Sequence, residues 1–220
     1  MSEHWAVIPV KGLRDSKTRL APYLGDNRKT VVEALLQDVL SSVLQSKVFD
    51  KTMVISPDEN VANLARSGAI AFLRQTSVGL NRAVDQVRRL ALKEGVLSMT
   101  TILADIPLAE PRDFAEIFHL RGASASVVLA PSLKMGTNVM LASPPNVVRP
   151  RYGRWSYSKH LREAQVAGVD VYSASNPRVS FDIDTPHDLL KLRRKDPENR
   201  TRTARILLGI RPLLHHPKTL

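Results

Sequence analysis

The chain contains no cysteine among its 220 residues. This absence excludes a disulfide framework, a thiol nucleophile and a Cys-ligated zinc site. Aromatic residues are also scarce, at 5%, which disfavours a nucleic-acid surface built on base stacking. No run of about 18 apolar residues is present, so no membrane span is predicted, and the first residues lack the apolar stretch of a secretory signal. We therefore expect a cytoplasmic protein without membrane contacts.

Several motifs of nucleotide and hydrolytic enzymes are also missing. The sequence has no G-x-x-x-x-G-K-[ST] phosphate loop and no G-x-G-x-x-G dinucleotide fingerprint. Its six histidines form no H-E-x-x-H pattern, and no serine lies in G-x-S-x-G. A P-loop ATPase, a dinucleotide-dependent dehydrogenase and an acyl-transfer hydrolase are therefore disfavoured.

The apolar residues, 43% of the chain, follow alternating strand and helix periods. This alternation predicts an α/β fold whose mainly parallel sheet is covered on both faces, with one antiparallel insertion where two late strands lack an intervening helix. The predicted strands are 5–10, 52–56, 70–73, 100–104, 126–130, 138–142 and 169–172, and the predicted helices are 27–45, 59–66, 80–93, 112–120, 156–167 and 188–194.

The positive charge is concentrated near the C-terminus. Residues 191–220 contain nine Lys and Arg against two acidic residues, which is +7 of the total +11. We predict a domain over residues 1–196 and a basic extension over 197–220. Such an extension either binds nucleic acid or is solvated, and the low aromatic content disfavours nucleic acid.

A cationic loop follows the first predicted strand. Residues 11–20 supply Lys11, Arg14, Lys17 and Arg19 together with Gly12 and two hydroxyl groups. Ligands of open α/β sheets bind at the carboxyl ends of the strands. The loop is therefore a candidate polyphosphate site, with a solvated basic loop as the alternative.

Carboxylates also follow predicted strands. Asp105 ends the strand 100–104, and Asp182 and Asp184 would lie on one side of an extended segment whose Ile183 points to the core. Like charges so close are costly without a cation between them. Magnesium, which takes carboxylate and phosphate oxygens, fits the three together. The alternative for Asp184 is a helix cap before Pro186.

Three neutral segments offer further contacts. Residues 135–138 precede a strand, and residues 152–157 precede a helix whose N-cap we expect to be Ser156, so that nearby N–H groups face an anion. Gly79 and Asn81 begin another helix and are candidates for contact with a base. Ordinary turns are the alternative in each case.

Taken together, these segments resemble the guanylyltransferases of coenzyme F420 biosynthesis, the family called CofC or FbiD. The matching motifs, in the family's order, are A-V-I-P-V-K with S-K-T-R-L (6–20), G-L-N (79–81), L-A-D-I-P-L (103–108), G-T-N (136–138), Y-G-x-x-S (152–156) and D-I-D-T-P (182–186). The resemblance implies a three-layer, Rossmann-like nucleotidyltransferase fold of the glycosyltransferase-A-like type. It also implies GTP as donor, Mg²⁺ as cofactor and a small phosphorylated acid as acceptor, and it leaves the oligomeric state open, a homodimer included.

The resemblance also assigns roles by position. Asp105, Asp182 and Asp184 match the metal ligands, and Thr137, Gly153 and Ser156 match the binding positions for the phosphorylated acid. Lys17 and Arg19 match the triphosphate-binding loop, which Lys11 begins. Departures from the family's pattern, at positions expected to line the acceptor pocket, are Met135, Tyr152, Arg154, Trp155 and Tyr157.

The expected reaction is attack of the acceptor's phosphate on the α-phosphorus of GTP with release of pyrophosphate. The expected catalytic residues are Lys17, Arg19 and Asp105, which neutralise charge and position phosphates. The acceptor is phosphoenolpyruvate, 2-phospholactate or 3-phosphoglycerate. The alternative within enzymes is a nucleotidyltransferase that uses another nucleotide, such as CTP, or a sugar phosphate.

Overall fold

One seven-stranded sheet forms the centre of the computed structural model, which describes residues 3–68 and 70–210. The strands are β1 (His4–Pro9), β2 (Lys51–Ser56), β3 (Ala71–Arg74), β4 (Ser98–Ile102), β5 (Ser126–Pro131), β6 (Thr137–Ser143) and β7 (Asp170–Ser173). The α-helices are α1 (Ala21–Leu24), α2 (Arg28–Ser46), α3 (Glu59–Ser67), α4 (Leu80–Lys93), α5 (Pro111–His119), α6 (Ser156–Ala167), α7 (Pro186–Lys195) and α8 (Arg202–Gly209).

The strand order is β3-β2-β1-β4-β6-β5-β7. Strand β6 runs antiparallel to β4 and β5, whereas the other neighbouring pairs are parallel. This confirms the predicted mainly parallel sheet and its antiparallel insertion. The carboxyl ends of β1, β2 and β4 consequently meet at one edge, where the βα connections can form a binding site.

Helices cover both faces of the sheet because its strands are apolar on both sides. On one face, residues of α2, α3 and α5 such as Val39, Val61 and Phe114 pack against the sheet. On the other face, Val87 of α4 and Ala164 of α6 do so. The result is the three-layer arrangement predicted from the alternating periodicity.

Element bounds agree closely with the predictions at α4 and α6 and differ at β4. The predicted strand 100–104 is observed at Ser98–Ile102, because its pairing with β1 begins at Ser98 and its pairing with β6 ends at Ile102. Asp105 therefore lies in the loop after the strand, three residues beyond its end.

The region predicted as a C-terminal extension begins within the packed structure. Helix α8 buries Ala204 and Leu207, and Leu207 joins a core cluster that contains Leu35 of α2. The Asp38 carboxylate accepts hydrogen bonds from the backbone N–H groups of Arg202 and Thr203 at 2.7 and 2.9 Å. The domain thus continues past residue 196 at least through α8, because α2 offers an apolar surface and a carboxylate that accepts from the first N–H groups of α8.

The rest of the predicted extension, residues 211–220, lies outside the described part of the chain. Some of the basic side chains of residues 191–220 serve local structure: Arg193 donates to the Leu207 carbonyl, and Arg205 donates to the Arg200 carbonyl. Within residues 3–68 and 70–210, none of the helices has the length and apolar character that a membrane crossing requires.

Candidate active site

A cleft of about 820 Å³ opens at the carboxyl ends of β1, β2 and β4. The loop after β1 forms one wall, residues 75–80 ahead of α4 form another, and Asp105 and Asp184 lie at its margin. Its volume is within the range of small-molecule and cofactor sites. Among the predicted nucleotide-binding residues, Lys11, Lys17, Arg19 and Gly79 line this cleft.

The loop after β1 is held in place by side chains of neighbouring helices. The Asp58 carboxylate accepts a hydrogen bond from the Leu13 N–H at 2.8 Å, and Arg28 donates to the Ser16 carbonyl at 2.5 Å. Gly12, at φ 144°, permits the sharp departure from the strand. The loop therefore presents Lys11 and Arg19 as exposed cations on a defined backbone.

Lys17 forms the centre of the charged cluster. Its Nζ donates to Asp105 Oδ2 at 2.5 Å and to Asp184 Oδ1 at 2.7 Å. The Lys17 side chain is only 13% exposed, against 20% and 35% for the two carboxylates. Burial lowers the pKa of Lys17, but the two carboxylates outweigh it and hold that pKa above its ordinary value. The ammonium is therefore charged at every physiological pH.

The D-I-D segment is tied to Asp105 through its central residue. Ile183 is fully buried, and its N–H donates to the Asp105 carbonyl at 3.0 Å. The predicted burial of Ile183 is thus confirmed, and the two segments are placed side by side. The N-cap of α7 is Thr185, whose hydroxyl accepts from the Asp188 N–H. Asp184 is therefore not the helix cap that the alternative interpretation required.

Asp182 and Asp105 lie in a site where carboxylates are close together and partly buried. Burial, followed by the charges of Asp105 and Asp184, raises the pKa of Asp182 to about 7. Asp105 Oδ1 is buried and has no hydrogen-bond partner. Across the described residues no three His, Asp or Glu side chains form a ready-made metal-binding group. The Lys17 ammonium instead lies between two of the three aspartates, Asp105 and Asp184, because unscreened carboxylates repel one another.

The donor set nevertheless suits a hard divalent cation. Such an ion takes carboxylate oxygens, and Asp105 Oδ1 offers one without a partner. Burial first, and then the neighbouring charges of Asp105 and Asp184, raise the pKa of Asp182, and a bound cation would offset both effects. The residues present therefore fit magnesium, with the Lys17 ammonium as the group that it would displace.

Thr137 lies away from the cleft, in a buried hydrogen-bonded chain. Its hydroxyl is 2.9 Å from His160 Nδ1, and His160 Nε2 accepts a hydrogen bond from the Arg151 N–H at 2.8 Å. Burial lowers the pKa of His160 to about 4, so the ring is neutral. Because Nε2 accepts the hydrogen bond from Arg151, the single ring hydrogen is on Nδ1. His160 consequently donates to Thr137 Oγ1, which leaves the Thr137 hydroxyl hydrogen available for another acceptor.

Gly153 and Ser156, like Thr137, are not among the residues that line the cleft. Gly153 adopts φ 120° with open space around it, and its carbonyl accepts from the Ser156 N–H at 3.1 Å. The predicted N-cap at Ser156 is wrong: Trp155, in the left-handed region at φ 59°, is the N-cap, and the buried Ser156 is the first helical residue. These three predicted acceptor positions therefore lie outside the cleft lining, and the turn before Thr137 contacts the start of α6 through the Met135 carbonyl and the Tyr157 N–H.

Asn81 does not line the cleft. Its amide oxygen accepts from the Tyr152 N–H at 2.7 Å, and its amide nitrogen donates to the Tyr152 carbonyl at 3.1 Å. Both polar groups are thus used to tie α4 to the segment before α6. The predicted contact of Asn81 with a base is replaced by this structural contact, which local sequence could not reveal.

Two residues near the site were absent from the sequence-based predictions. His160 was overlooked because no ligand motif contains it, although its position four residues after Ser156 places it on the same helical face. Lys134 was overlooked because it lies in a loop, yet its Nζ is 3.7 Å from Asp184 Oδ2. The side chains of Gln75, Thr76 and Ser77 add polar groups to the cleft wall.

The family profile and the related sequences indicate the same protein family. The profile of the family described as "Guanylyl transferase CofC like" matches residues 4–210. The chain is 37% identical over 190 residues to phosphoenolpyruvate guanylyltransferase of Rubrobacter xylanophilus, covering 86% of this chain and 92% of the relative. It is 32% identical to 3-phospho-D-glycerate guanylyltransferase of Colwellia psychrerythraea, covering 83% and 88%. It is also 32% identical to 2-phospho-L-lactate guanylyltransferase of Methanocaldococcus vulcanius, covering 83% and 81%.

Solved structures share the fold at low sequence identity. A structure from Desulfovibrio desulfuricans G20, assigned to the nucleotide-diphospho-sugar transferases, superposes with a TM-score of 0.79 at 18% identity and covers 95% of each chain. A nucleotidyl transferase from Methanothermobacter gives a TM-score of 0.63 at 16% identity and covers 91% of this chain and 100% of the other. These likenesses confirm the Rossmann-like nucleotidyltransferase architecture predicted from sequence.

Proposed function

The chain belongs to the family of CofC-like guanylyl transferases, and from this membership we propose that it transfers GMP from GTP to a three-carbon phosphorylated acid and releases pyrophosphate. The acceptor is phosphoenolpyruvate, 2-phospho-L-lactate or 3-phospho-D-glycerate, the three substrates named for its relatives. We place the product in coenzyme F420 biosynthesis, as the family resemblance implies.

One observation carries the proposal: a buried ammonium contacts two carboxylates at the margin of a cleft lined by further cations. Lys17 supplies the ammonium, Asp105 and Asp184 supply the carboxylates, and Lys11 and Arg19 line the cleft. A triphosphate accompanied by a divalent cation requires both signs of charge around one crevice. An apolar ligand or a neutral sugar would not require them.

The proposed reaction is an in-line displacement at the α-phosphorus of GTP. An oxygen of the acceptor's phosphate forms a bond to that phosphorus, and the bond to the oxygen bridging the α- and β-phosphorus breaks. The attacking oxygen is already anionic at neutral pH, so no general base is needed. Catalysis then rests on positioning and on neutralising charge. Lys17 and Arg19 act on the side of the leaving pyrophosphate.

We propose magnesium as the cofactor, with Asp105, Asp182 and Asp184 as the residues that would hold it. When bound, the ion would supply positive charge for the phosphate oxygens of the two substrates. Lys17, whose partners are two of these aspartates, would then be free to contact the triphosphate. Asp182, whose pKa is raised to about 7, would bind as the carboxylate.

The acceptor region follows from the chain's own polar groups. The Thr137 hydroxyl, oriented by His160, has a hydrogen to donate. The N-terminus of α6 at Ser156 offers backbone N–H groups, which favour an anion. We propose that Thr137, Gly153 and Ser156 contact the phosphorylated acid. The exposed side chains of Met135 and Trp155 border this region and are candidates for selecting among the three acids.

A matrix of nucleotides and acceptors tests the activity. Pyrophosphate release is measured with GTP, CTP, ATP or UTP against each of the three acids and against a sugar phosphate. We expect release with GTP and at least one of the three acids, dependent on added Mg²⁺. Release only with another nucleotide or only with the sugar phosphate would contradict the proposal.

Asp105→Ala tests the site. Because Asp105 contacts the charged centre of the cleft, we expect turnover to fall by about 100-fold or more, as when a positioned electrostatic group is lost. Asp170→Ala is the matched control, since Asp170 is an exposed aspartate at the start of β7. Circular dichroism verifies the fold of both variants. Near-normal turnover in a folded Asp105→Ala would overturn the assignment of Asp105.

A further inference from the structure

A second ammonium reaches Asp184 from the side opposite to Lys17. Lys134 Nζ lies 3.7 Å from Asp184 Oδ2 and 3.5 Å from Asp188 Oδ2. Its side chain is 56% exposed, whereas that of Lys17 is 13% exposed. Both contacts of Lys134 are longer than a normal hydrogen bond. Lys134 is therefore a loosely paired cation that can change partners without breaking a buried ion pair.

The backbone that carries Lys134 is well defined. The Ser132 hydroxyl accepts hydrogen bonds from the N–H groups of Gly136 at 2.9 Å and Lys134 at 3.3 Å. The Ser132 N–H in turn donates to the Gly136 carbonyl at 3.0 Å. Residues 132–136 thus form a closed turn between β5 and β6 that keeps the start of the Lys134 side chain in one place.

This turn also contacts the start of α6. The Tyr157 N–H donates to the Met135 carbonyl at 3.2 Å, and a Cβ at Gly136 would lie 3.9 Å from Ser156 Oγ. Lys134 consequently lies between two regions: the aspartate cluster on one side and the proposed acceptor positions at Gly153 and Ser156 on the other. Lys17 and Arg19 belong to the opposite wall, in the loop after β1.

We propose that Lys134 binds the phosphate of the acceptor acid and thereby sets the affinity for that substrate. The proposal rests on the proposed function. An acceptor that enters beside Asp182 and Asp184 brings a phosphate and a carboxylate toward existing carboxylates, which repel it. Lys134 offsets that repulsion: its ammonium leaves the long contacts with Asp184 and Asp188 and makes a short, charge-assisted contact with the phosphate.

The test compares Lys134→Met, which keeps the side-chain length but removes the charge, with Lys134→Arg, which keeps the charge. Lys93→Met on the exposed last turn of α4 is the matched control. Steady-state KM values for GTP and for each acid that the unaltered protein uses are measured with saturating partner substrate. Because an exposed ion pair contributes little to folding, all variants should keep the melting temperature within about 2 °C.

We expect Lys134→Met to raise the KM for the acid by about tenfold or more, as for loss of a charge-assisted hydrogen bond. The KM for GTP should change less than about twofold, because Lys134 is not on the triphosphate wall. The increase should be similar for every acid used, since they share the phosphate, and Lys134→Arg should recover most of the affinity.

Three results would overturn the inference. An unchanged KM for the acid in Lys134→Met, or equal increases for acid and GTP, would remove Lys134 from the acceptor site. An increase with one acid alone would show that Lys134 recognises something other than the shared phosphate. If the unaltered protein releases no pyrophosphate with any of the three acids, the proposed function fails first, and the inference fails with it.

Discussion

Replacing Lys17 with methionine tests the charged centre of the cleft in the free protein. The substitution keeps the length of the side chain and removes the ammonium that contacts Asp105 and Asp184. The two carboxylates, with Asp182 beside them, then face each other without a directly bonded cation. We expect the folded state to lose stability at pH 8, because like charges in a partly buried site repel.

The size of the loss follows from the burial of the three groups. Removing one partner of a fully buried ion pair costs about 3–5 kcal/mol. The carboxylates of Asp105 and Asp184 are 20% and 35% exposed, so water screens part of the repulsion, and we expect about 2 kcal/mol. For a domain of this size, that corresponds to a decrease in melting temperature of about 4–8 °C.

The stability deficit of Lys17→Met should be larger at pH 8 than at pH 5.5. Burial tends to raise the pKa of Asp184, but the Lys17 ammonium lowers it below its ordinary value. In Lys17→Met that lowering is lost, and the folded-state pKa of Asp184, which burial raises, rises above its unfolded value. The folded variant then binds more protons than the unfolded chain, so lowering the pH from 8 to 5.5 stabilises it relative to the unaltered protein. The gap in melting temperature should narrow.

Thermal unfolding followed by circular dichroism, at both pH values and in the presence of EDTA, measures the gap. If magnesium is the cofactor as proposed, added Mg²⁺ should raise the melting temperature of Lys17→Met more than that of the unaltered protein, because the ion would bind the folded site without first displacing an ammonium. Lys93→Met again serves as the control. Two results would refute the stabilising role of the Lys17 ammonium between the two carboxylates. One is that Lys17→Met and Lys93→Met have the same melting temperature at pH 8. The other is that the decrease in melting temperature of Lys17→Met is the same at pH 5.5 as at pH 8.

Two further substitutions probe the aspartate cluster and the turn before β6. Asp182→Asn should raise the unfolding free energy at pH 8 by about 1 kcal/mol and abolish turnover. The gain in stability is expected because the pKa of Asp182 is raised to about 7, so that its ionised form destabilises the fold at pH 8. This gain should shrink toward pH 5.5, and a loss of stability at pH 8 would contradict the prediction. Gly136→Ala should cost about 1–3 kcal/mol, because its Cβ would lie 2.8 Å from Ser132 Oγ. Adding Ser132→Ala should recover part of the melting temperature, and an unaltered melting temperature in Gly136→Ala alone would refute the steric argument.

Most of the fold followed from periodicity. The helices α4 and α6 coincide with their predicted ranges, since each has a long amphipathic pattern and a glycine just beyond or near its end. The bounds of β4 were less accurate because a strand ends where its neighbours stop pairing, and pairing is not local information. For the same reason the sequence did not reveal that α8 packs on α2, whose Asp38 accepts from the N–H groups of Arg202 and Thr203.

In the candidate site, too, local sequence predicted some features and only the tertiary structure revealed others. Residue type and position after a strand were enough to select the cationic loop 11–20, Asp105 and Asp184, because charge and chain direction are local properties; the family resemblance singled out Lys17 within that loop. Their direct contact depends on Ile183, whose N–H bonds the Asp105 carbonyl across about 80 residues of chain. Asn81, chosen from its helix-start position, instead binds the backbone of Tyr152.

Local patterns therefore specified the class of fold, the cationic loop after β1 and the aspartates of opposite charge that follow other strands. Tertiary structure alone decided which charges touch: Lys17 between two aspartates, Lys134 on the far side of Asp184, and His160 beneath Thr137. The physical reason is that ion pairs and hydrogen bonds act over a few ångströms, whereas the residues that make them are distant in the chain and meet only when the sheet is formed.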